Sequence, residues 1–181
     1  ALRALGIERI DLLVATHPHA DHIGGMVEVL AALPVRYFMD NGEPHTTATY
    51  RELIAELERR TDIVYLAAEP RTLSLGDVAL DVLPLLPPGS VEHNDRSVAL
   101  VVRFGAFRAF LSGDSEVRQL THLVGLGAVP DVALLKAPHH GSHNGVTWDF
   151  LGAARPEVVV ISVGRNGYGH PHAEALAAFR T

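Results

Sequence analysis

One segment constrains the fold of this chain most: the apolar run IDLLVAT (10–16) passes directly into a cluster of histidine and aspartate. The run is nearly continuous in apolar residues, which is typical of a strand buried on both faces. Apolar residues at helical spacing follow over 21–33, so the cluster lies between a strand and a helix. Loops at the carboxyl ends of strands are where α/β proteins place functional sites. The segment therefore predicts an α/β protein with a site at this strand end.

The rest of the chain alternates between strand-like runs and amphipathic segments. Segment 97–114 has two strand-like halves that meet at Gly105-Ala106, where glycine at the first position of a two-residue loop favours a type II′ hairpin. Hairpins combined with crossovers predict an α/β sandwich with mixed sheets rather than a purely parallel sheet. Further strands are predicted at 35–39, 62–67, 78–85, 131–137 and 157–163, and helices at 47–60, 115–127, 147–154 and from about Pro171.

Length and charge narrow the class of protein. A chain of 181 residues can form one domain with its own core, so we expect 1–181 to be a single domain. The formal charge of −6 counts against a broad basic surface that holds nucleic acid by charge alone. No apolar run approaches the ~20 residues of a membrane span, so no membrane segment is expected. Because both ends fall within helix-like sequence, we expect a fragment of a longer protein.

The cluster after the first strand has the composition of a metal site. The chain contains no cysteine, so a metal must be held by histidine and carboxylate. These are ligands for Zn²⁺ and related transition ions. His17 and His19 can project to one side as the strand ends, and the adjacent Asp21 and His22 can turn toward a second ion. A solvated histidine-rich turn is the alternative interpretation.

Three further predicted strands end in aspartate or histidine. Asp114 in FLSGDSE can bridge two ions, although aspartate in Gly-Asp-Ser is also a common helix N-cap. His139 and His140 follow another strand in LLKAPHHGSHNG, and His170 follows a third in SVGRNGYGHPH. A single histidine is more often structural than a ligand. Strand ends that share a sheet edge would bring all these groups together, and this convergence predicts one composite site.

The motifs THPHADH, NDRSVALVVRFG, FLSGD, LLKAPHHGS and ISVGRNGYGHP resemble, in order and spacing, the C-terminal metallo-β-lactamase domain of the ComEC DNA-internalisation (competence) proteins. The resemblance implies a four-layer αββα metallo-β-lactamase sandwich, truncated at the N-terminal side because a preceding Asp-Val-Gly-Gln-Gly-Asp strand is missing. It implies two divalent metal ions, Zn or Mn. It also implies a membrane channel domain in the same longer protein, a bacterial cell-membrane location with this domain soluble on the extracytoplasmic side, and single-stranded DNA as substrate.

The resemblance assigns ligands residue by residue. His17 and His19 match the ligands of the first ion, Asp21 and His22 match those of the second, and Asp114 matches the bridging carboxylate. The segment His139-His140-Gly141 matches a segment that supplies one further histidine ligand, and either histidine can be that ligand.

This chain departs from the superfamily pattern at the ligands of the first ion. Many superfamily members place another histidine on the strand before the bridging aspartate, where this chain reads EHNDRSVAL. The first ion would then have two histidines, the bridge and water. His93 can fill the gap, but Asn94 and Ser97 fit the ComEC-like pattern better, and we assign them to substrate binding.

A two-ion mechanism gives roles to further residues. Two ions about 3.5–4 Å apart activate water for attack on phosphorus and stabilise the developing charge. Asp21 can orient the nucleophile, and His170 or the non-ligand histidine of the 139–140 pair can protonate the leaving group. Lys136 can hold a phosphate or be a snorkelling strand-end lysine. Arg96 and Arg165 can contact phosphate or be solvated loop residues.

Three classes of function compete at this point. The first is a nuclease that degrades the DNA strand that is not imported. The second is another hydrolase of the same fold, such as a phosphocholine esterase or a thioester or lactam hydrolase, which the net acidity mildly favours. The third is a non-catalytic metal-binding domain that gates a channel. Aromatic residues near the proposed site are too few for a long stacking track, namely Trp148, Phe150 and Tyr168, although Tyr168 can shape the pocket together with Asn166.

Overall fold

The computed structural model describes residues 1–88 and 92–180. The chain divides into two compact units, Ala1–Ala68 and Glu69–Thr181. Each unit has its own sheet and its own apolar core. No helix in the described ranges has the length and apolar character needed to cross a membrane.

The first unit contains a parallel three-stranded sheet in the order β1-β2-β3. Its core clusters around Phe38 and Leu30. The strands are β1 (Ile10–Val14), β2 (Val35–Asp40) and β3 (Val64–Ala67), and the helices are α1 (Ala20–Ile23), α2 (Met26–Ala32) and α3 (Ala48–Arg59), with a 3-10 turn at Leu2–Leu5.

The helix predicted over 21–33 is wrong in one respect, because two short helices replace it. α1 ends before Gly24, and α2 begins at Met26. Consecutive glycines weaken a helix interior because they carry the largest backbone entropy cost. The backbone also packs closely there, since a Cβ added at Gly24 would lie 2.5 Å from the Ala20 carbonyl oxygen. The helix predicted over 47–60 is confirmed as α3, whose N-cap Thr47 accepts a bond from the backbone N–H of Tyr50.

The second unit contains a six-stranded sheet in the order β4-β5-β6-β7-β8-β9. Strands β4 to β7 are antiparallel neighbours, whereas β7, β8 and β9 run parallel, which confirms the predicted mixed sheet. The strands are β4 (Arg71–Leu75), β5 (Val78–Val82), β6 (Leu100–Phe104), β7 (Phe107–Leu111), β8 (Leu134–Lys136) and β9 (Val158–Val160). The helices are α4 (Val117–Gly125), α5 (Trp148–Ala154) and α6 (Ala173–Ala178), with 3-10 turns at His93–Arg96, Pro138–Gly141 and His143–Gly145.

Strand β4 was not predicted from the sequence, whereas the hairpin between β6 and β7 was. β4 is an edge strand with mostly exposed side chains, so the sequence RTLSL lacks the apolar content that marks a buried strand. The hairpin predicted at Gly105-Ala106 is confirmed between β6 and β7. Gly105 has a φ of 56° and Ala106 does not have a positive φ, as a type II′ turn requires.

The core of the second unit fixes the strands that carry the candidate site. Phe110 on β7 and Phe150 on α5 are both fully buried, with ring centroids 5.3 Å apart. Because β7, β8 and β9 are parallel, their carboxyl ends lie at one edge of the sheet. The segments that leave this edge begin at Ser112, Ala137 and Ile161.

Candidate metal centre

The loop after β1 gathers the four residues of the metal motif within the first unit. His17 is 1% exposed, and its Nε2 lies 3.0 Å from Nδ1 of His19. The His22 ring lies 4.1 Å from the His17 ring, measured between centroids. Nε2 of His22 lies 3.6 Å from Oδ2 of Asp21. The segment therefore forms a compact cluster of side chains and not a solvated histidine-rich turn.

Thr16 supports this cluster and was not singled out from the sequence. Its Oγ1 lies 3.1 Å from Nδ1 of His17 and 3.2 Å from Nδ1 of His22. A hydroxyl oxygen has two lone pairs, so it can accept a bond from both Nδ1–H groups. In that arrangement both Nε2 atoms keep a lone pair for a metal, because the second nitrogen of a ligating histidine is normally held by such a partner.

His45 also lies beside the cluster and was missed. Its ring centroid is 6.0 Å from that of His19, and its Nδ1 is 3.1 Å from Oγ1 of Thr47. His45 follows the carboxyl end of β2, which pairs in parallel with β1. The rule that parallel strands deliver their following loops to one sheet edge was the available signal for this residue.

Asp114 follows β7 in the second unit and is 2% exposed. Its backbone N–H donates to Oγ of Ser97, which is itself completely buried. The alternative interpretation of Asp114 as a helix N-cap is wrong, because α4 begins at Val117 and a different carboxylate caps it. That carboxylate is Asp95, whose Oδ1 accepts bonds from the N–H groups of Glu116 and Gln119, both at 3.2 Å.

His140 faces Asp114 with one ring nitrogen and the backbone with the other. Its Nε2 lies 3.3 Å from Oδ2 of Asp114, and its Nδ1 lies 2.6 Å from the Ser162 carbonyl oxygen. A carbonyl only accepts, so Nδ1 carries a proton and donates. The hydrogen bond to Asp114 raises the pKa of His140, so protonation of this ring competes with the binding of a cation at Nε2.

His139, unlike His140, has its Nδ1 beside a carboxylate and not beside a backbone carbonyl. Its Nδ1 lies 2.9 Å from Oε1 of Glu116, and the same oxygen accepts a bond from Nδ2 of Asn94 at 2.9 Å. Its Nε2 is 3.9 Å from Oδ2 of Asp114. The contact with His139 lowers the pKa of Glu116. Glu116 was missed from the sequence, although it lies two residues after the predicted bridging aspartate.

The two histidines also share an unusual backbone. His139 and His140 have φ values of 43° and 54°. Non-glycine residues rarely adopt the left-handed region, and such strain concentrates at functional sites. The backbone geometry therefore marks this turn as specialised without distinguishing between the two side chains.

Lys136 and the predicted phosphate-binding arginines occupy different environments. Nζ of Lys136 donates to the Gly113 carbonyl at 2.8 Å and lies 3.5 Å from Oδ1 of Asp114. Arg96 is 6% exposed and donates to the carbonyl of Leu86, so the solvated-loop interpretation of this residue is wrong. Arg165 is exposed.

His170 lies among several aromatic rings in the loop after β9. Its ring centroid is 5.1 Å from that of His139, 6.5 Å from that of His140 and 4.8 Å from that of His172. Burial lowers the pKa of His170. A second pair, His143 and His172, was not singled out from the sequence, and their Nδ1 atoms lie 2.9 Å apart.

The side chains present fit divalent ions. Two nitrogen ligands of a tetrahedral ion lie about 3.3 Å apart, because each is about 2.0–2.1 Å from the metal. The donor pairs His17–His19, His22–Asp21 and His140–Asp114 are separated by 3.0, 3.6 and 3.3 Å. Imidazole and carboxylate without thiolate suit Zn²⁺ and Mn²⁺.

Comparison with known proteins agrees with this chemistry. The family model described as the metallo-β-lactamase superfamily matches residues 1–165. The chain belongs to the metallo-β-lactamase superfamily. The predicted fold class is therefore confirmed, and a superfamily of this kind implies divalent metal ions.

Two curated relatives match nearly the whole of this chain. The chain is 26% identical over 185 residues to ComE operon protein 3 of Bacillus subtilis (strain 168), covering 97% of this chain and 23% of that protein. It is 29% identical over 173 residues to Competence protein ComA of Neisseria gonorrhoeae, covering 94% of this chain and 23% of that protein. The predicted resemblance to the ComEC family is confirmed. The chain spans about a quarter of the length of these relatives.

A solved structure shares the fold. CmlA, a diiron β-hydroxylase from Streptomyces venezuelae, superposes with a TM-score of 0.56 at 18% identity, covering 94% of this chain and 40% of that chain. At this identity the likeness shows the fold alone. Superfamily membership and the two curated relatives together support a metal-dependent hydrolase.

Proposed function

We propose that this chain is a two-metal phosphodiesterase that cleaves single-stranded DNA, and that it degrades the strand that is not imported during competence. The observation that carries the proposal is the gathering of His17, His19, Asp21 and His22 in the single loop after β1, with donor atoms at ligand spacing. The resemblance to the ComEC DNA-internalisation proteins supplies the DNA context, and one relative is named a competence protein. Phosphodiester hydrolysis is a reaction for which paired divalent ions are well suited.

The proposed ligand assignment combines the superfamily pattern with geometry inside each unit. His17 and His19 serve the first ion, Asp21 and His22 the second, and Asp114 is the bridging carboxylate. Of the two histidines after β8, His140 is assigned as the ligand, because its Nδ1 is fixed by the Ser162 carbonyl and its Nε2 points to the Asp114 carboxylate. His139 instead acts beside the ligands, held by Glu116. Zn²⁺ or Mn²⁺ is the proposed metal.

The residues around the ligands complete the chemistry. Two divalent ions, when bound, would acidify water and stabilise negative charge on the phosphoryl oxygens. Asp21 accepts a hydrogen bond from the attacking water and orients it toward phosphorus. His170 delivers a proton to the leaving oxygen from the loop after β9, where its ring lies beside those of His139 and His140.

Contacts to substrate phosphate are proposed for three cationic or polar side chains. The Lys136 ammonium keeps its bond to the Gly113 carbonyl while adding positive charge beside Asp114. Arg165 is exposed and can reach solvent-borne phosphate. Asn94 orients Glu116 and contacts substrate, whereas Ser97 contributes by holding the Asp114 backbone from its buried position.

The setting of the domain in its longer protein is also a proposal. We assign residues 1–181 to one metallo-β-lactamase domain joined to a membrane channel domain of the same polypeptide. In this setting the channel delivers the strand to the soluble domain on the extracytoplasmic side of the bacterial membrane. Tight intrinsic DNA binding is then unnecessary, in keeping with the charge of −6.

A substrate panel tests the proposed function. The metal-loaded chain is assayed on single-stranded DNA, on bis-(p-nitrophenyl) phosphate, on a phosphocholine ester and on a β-lactam, each with and without chelator. We expect metal-dependent cleavage of the two phosphodiester substrates. Turnover of the phosphocholine ester or lactam with DNA left intact would assign the chain to another hydrolase class. Metal binding with no turnover would support a gating domain.

A further inference from the structure

Tyr168 is the most exposed of the large apolar side chains in the described residues, with 81% of its surface accessible. It lies in the loop that leaves the carboxyl end of β9 and reaches His170 two residues later. Exposing a tyrosine ring gives up the burial that normally stabilises an aromatic side chain. The ring is therefore accessible to a group that approaches from solvent.

The backbone around Tyr168 is held firmly in place. Oδ1 of Asn166 accepts bonds from the N–H groups of Tyr168 at 3.0 Å and His170 at 3.1 Å. Nδ2 of Asn166 donates to the carbonyls of Gly164 at 3.0 Å and His170 at 2.9 Å. Nε2 of His172 donates to the Tyr168 carbonyl at 3.1 Å. Five hydrogen bonds thus fix a loop that presents one aromatic ring to solvent.

The exposed ring is the outer member of a series that ends beside the proposed bridging carboxylate. The Tyr168 and His170 centroids are 5.8 Å apart with planes inclined by 30°, and those of His170 and His140 are 6.5 Å apart with planes inclined by 22°. The inner member, His140, is the residue that faces Asp114. Tyr168, His170 and His140, the ring series, therefore lead from an exposed ring to the residue whose Nε2 faces Asp114, with neighbouring ring planes inclined by 30° and 22°.

We propose that Tyr168 stacks on a nucleobase adjacent to the scissile phosphodiester and so positions the strand in the site. The inference rests on the proposed phosphodiesterase function and names the nucleic-acid group that the site recognises. Every base has a π face, so stacking supplies affinity without sequence preference. One well-placed ring is sufficient for this purpose, and a long stacking track is not needed.

The other two aromatics considered from the sequence do not share this geometry. Phe150 is completely buried in the core of the second unit and cannot reach a base. Trp148 is 66% exposed but lies at the first position of α5 and not in the ring series. Tyr168 alone combines exposure with a line of rings that leads to Asp114.

Binding of paired oligonucleotides tests the proposal without depending on turnover. The probes are a phosphorothioate tetrathymidylate and the same tetramer with its bases replaced by abasic residues, titrated into the metal-loaded chain by calorimetry. One base–aromatic stack is worth enough to change affinity by about tenfold. We expect the wild-type chain to bind the base-containing probe about tenfold more tightly, Tyr168→Ala to lose this preference, and Tyr168→Phe to keep it because the ring is retained.

Phe107→Ala is the matched control. Phe107 is 44% exposed and lies at the start of β7, at the opposite end of this strand from Asp114. This variant should keep the wild-type preference for bases. A Tyr168→Ala chain that still prefers the base-containing probe would overturn the proposal, as would failure of the wild-type chain to distinguish the probes. DNA cleavage by a chain that binds the base-containing and abasic probes equally would overturn this inference alone, whereas tighter binding of the base-containing probe without DNA cleavage would overturn only the proposed function.

Discussion

Nε2 of His140 lies 3.3 Å from Oδ2 of Asp114, while Nδ1 of the same ring lies 2.6 Å from the Ser162 carbonyl oxygen. These three residues follow β7, β8 and β9, the parallel strands of the second sheet. The imidazole is thus oriented from one neighbouring strand end toward a carboxylate on another. This is the arrangement in which a metal-ligating histidine is held by a backbone carbonyl.

The first prediction separates the two histidines. His140→Ala should weaken metal affinity by more than about 100-fold, because it removes a ligand. His139→Ala should weaken it by about 10- to 100-fold or less, the range for a partner that only orients ligands. Competition with a metal-sensitive dye measures both. The opposite order of effects would reassign the ligand to His139.

Asp114→Asn provides the second prediction. The amide is neutral and a poorer ligand, so we expect bound metal to fall and phosphodiesterase activity to drop by about 100- to 1,000-fold, as when a group that stabilises transition-state charge is removed. The loss should exceed that of any single change among the surrounding histidines. Metal analysis of the purified variant and its rate on a small phosphodiester measure these effects. Near-normal metal content and rate would refute the assignment of Asp114.

Thr16→Val tests whether the Thr16 hydroxyl orients the histidines of the metal motif. Valine has nearly the same shape but cannot accept the bonds that orient His17 and His22. We expect metal affinity to fall by about 10- to 100-fold with little change in thermal stability. Thr16→Ser keeps the hydroxyl and should retain wild-type affinity. Equal affinities for the valine and serine variants would show that the hydroxyl does not orient the ligands.

Asp95 gives a prediction about stability and pH in the metal-free chain. Burial raises the pKa of Asp95 above its unfolded value of 3.8. Between the pKa of Asp95 in the unfolded chain and its higher pKa in the folded chain, the unfolded chain loses its proton first. The free energy of unfolding therefore decreases as the pH rises through this interval. Asp95→Asn removes this titration and keeps both acceptor bonds to α4, so its stability relative to wild type should increase across the interval.

Asp95→Ala is the companion variant, because it leaves the N–H groups of Glu116 and Gln119 without their side-chain acceptor. It should be less stable than Asp95→Asn by about 1 kcal/mol at all pH values, because neither variant titrates at this position and the usual effect of deleting a cap has this size. Urea denaturation over a pH series measures all three proteins. Parallel profiles for wild type and Asp95→Asn would show that the carboxyl is not perturbed.

The sequence predicted those parts of the structure that rest on local patterns. The run before His17, the hairpin at Gly105-Ala106 and helix α3 all follow from apolar periodicity, turn chemistry or capping. The metal motif was predictable because its four candidate ligands lie within six consecutive positions. Its superfamily followed from the order of the motifs.

Features that depend on contacts distant in sequence were not predicted. The bond from Asn94 to Glu116 and the cap that Asp95 provides for α4 both join residues more than 20 positions apart. The choice between His139 and His140 depended on the Ser162 carbonyl, which lies on the loop after β9. His45 required knowledge that β1 and β2 are neighbours.

The most direct test of a two-ion DNA phosphodiesterase is the rate of single-stranded DNA cleavage measured against the number of metal ions bound per chain. The metal-free protein is titrated with Zn²⁺ or Mn²⁺, and bound metal is determined by emission spectroscopy at each point. We predict little cleavage up to one ion per chain, a maximum at two, and complete loss on chelation. A chain that binds two ions and leaves DNA intact, or that reaches full activity with one, would contradict the account.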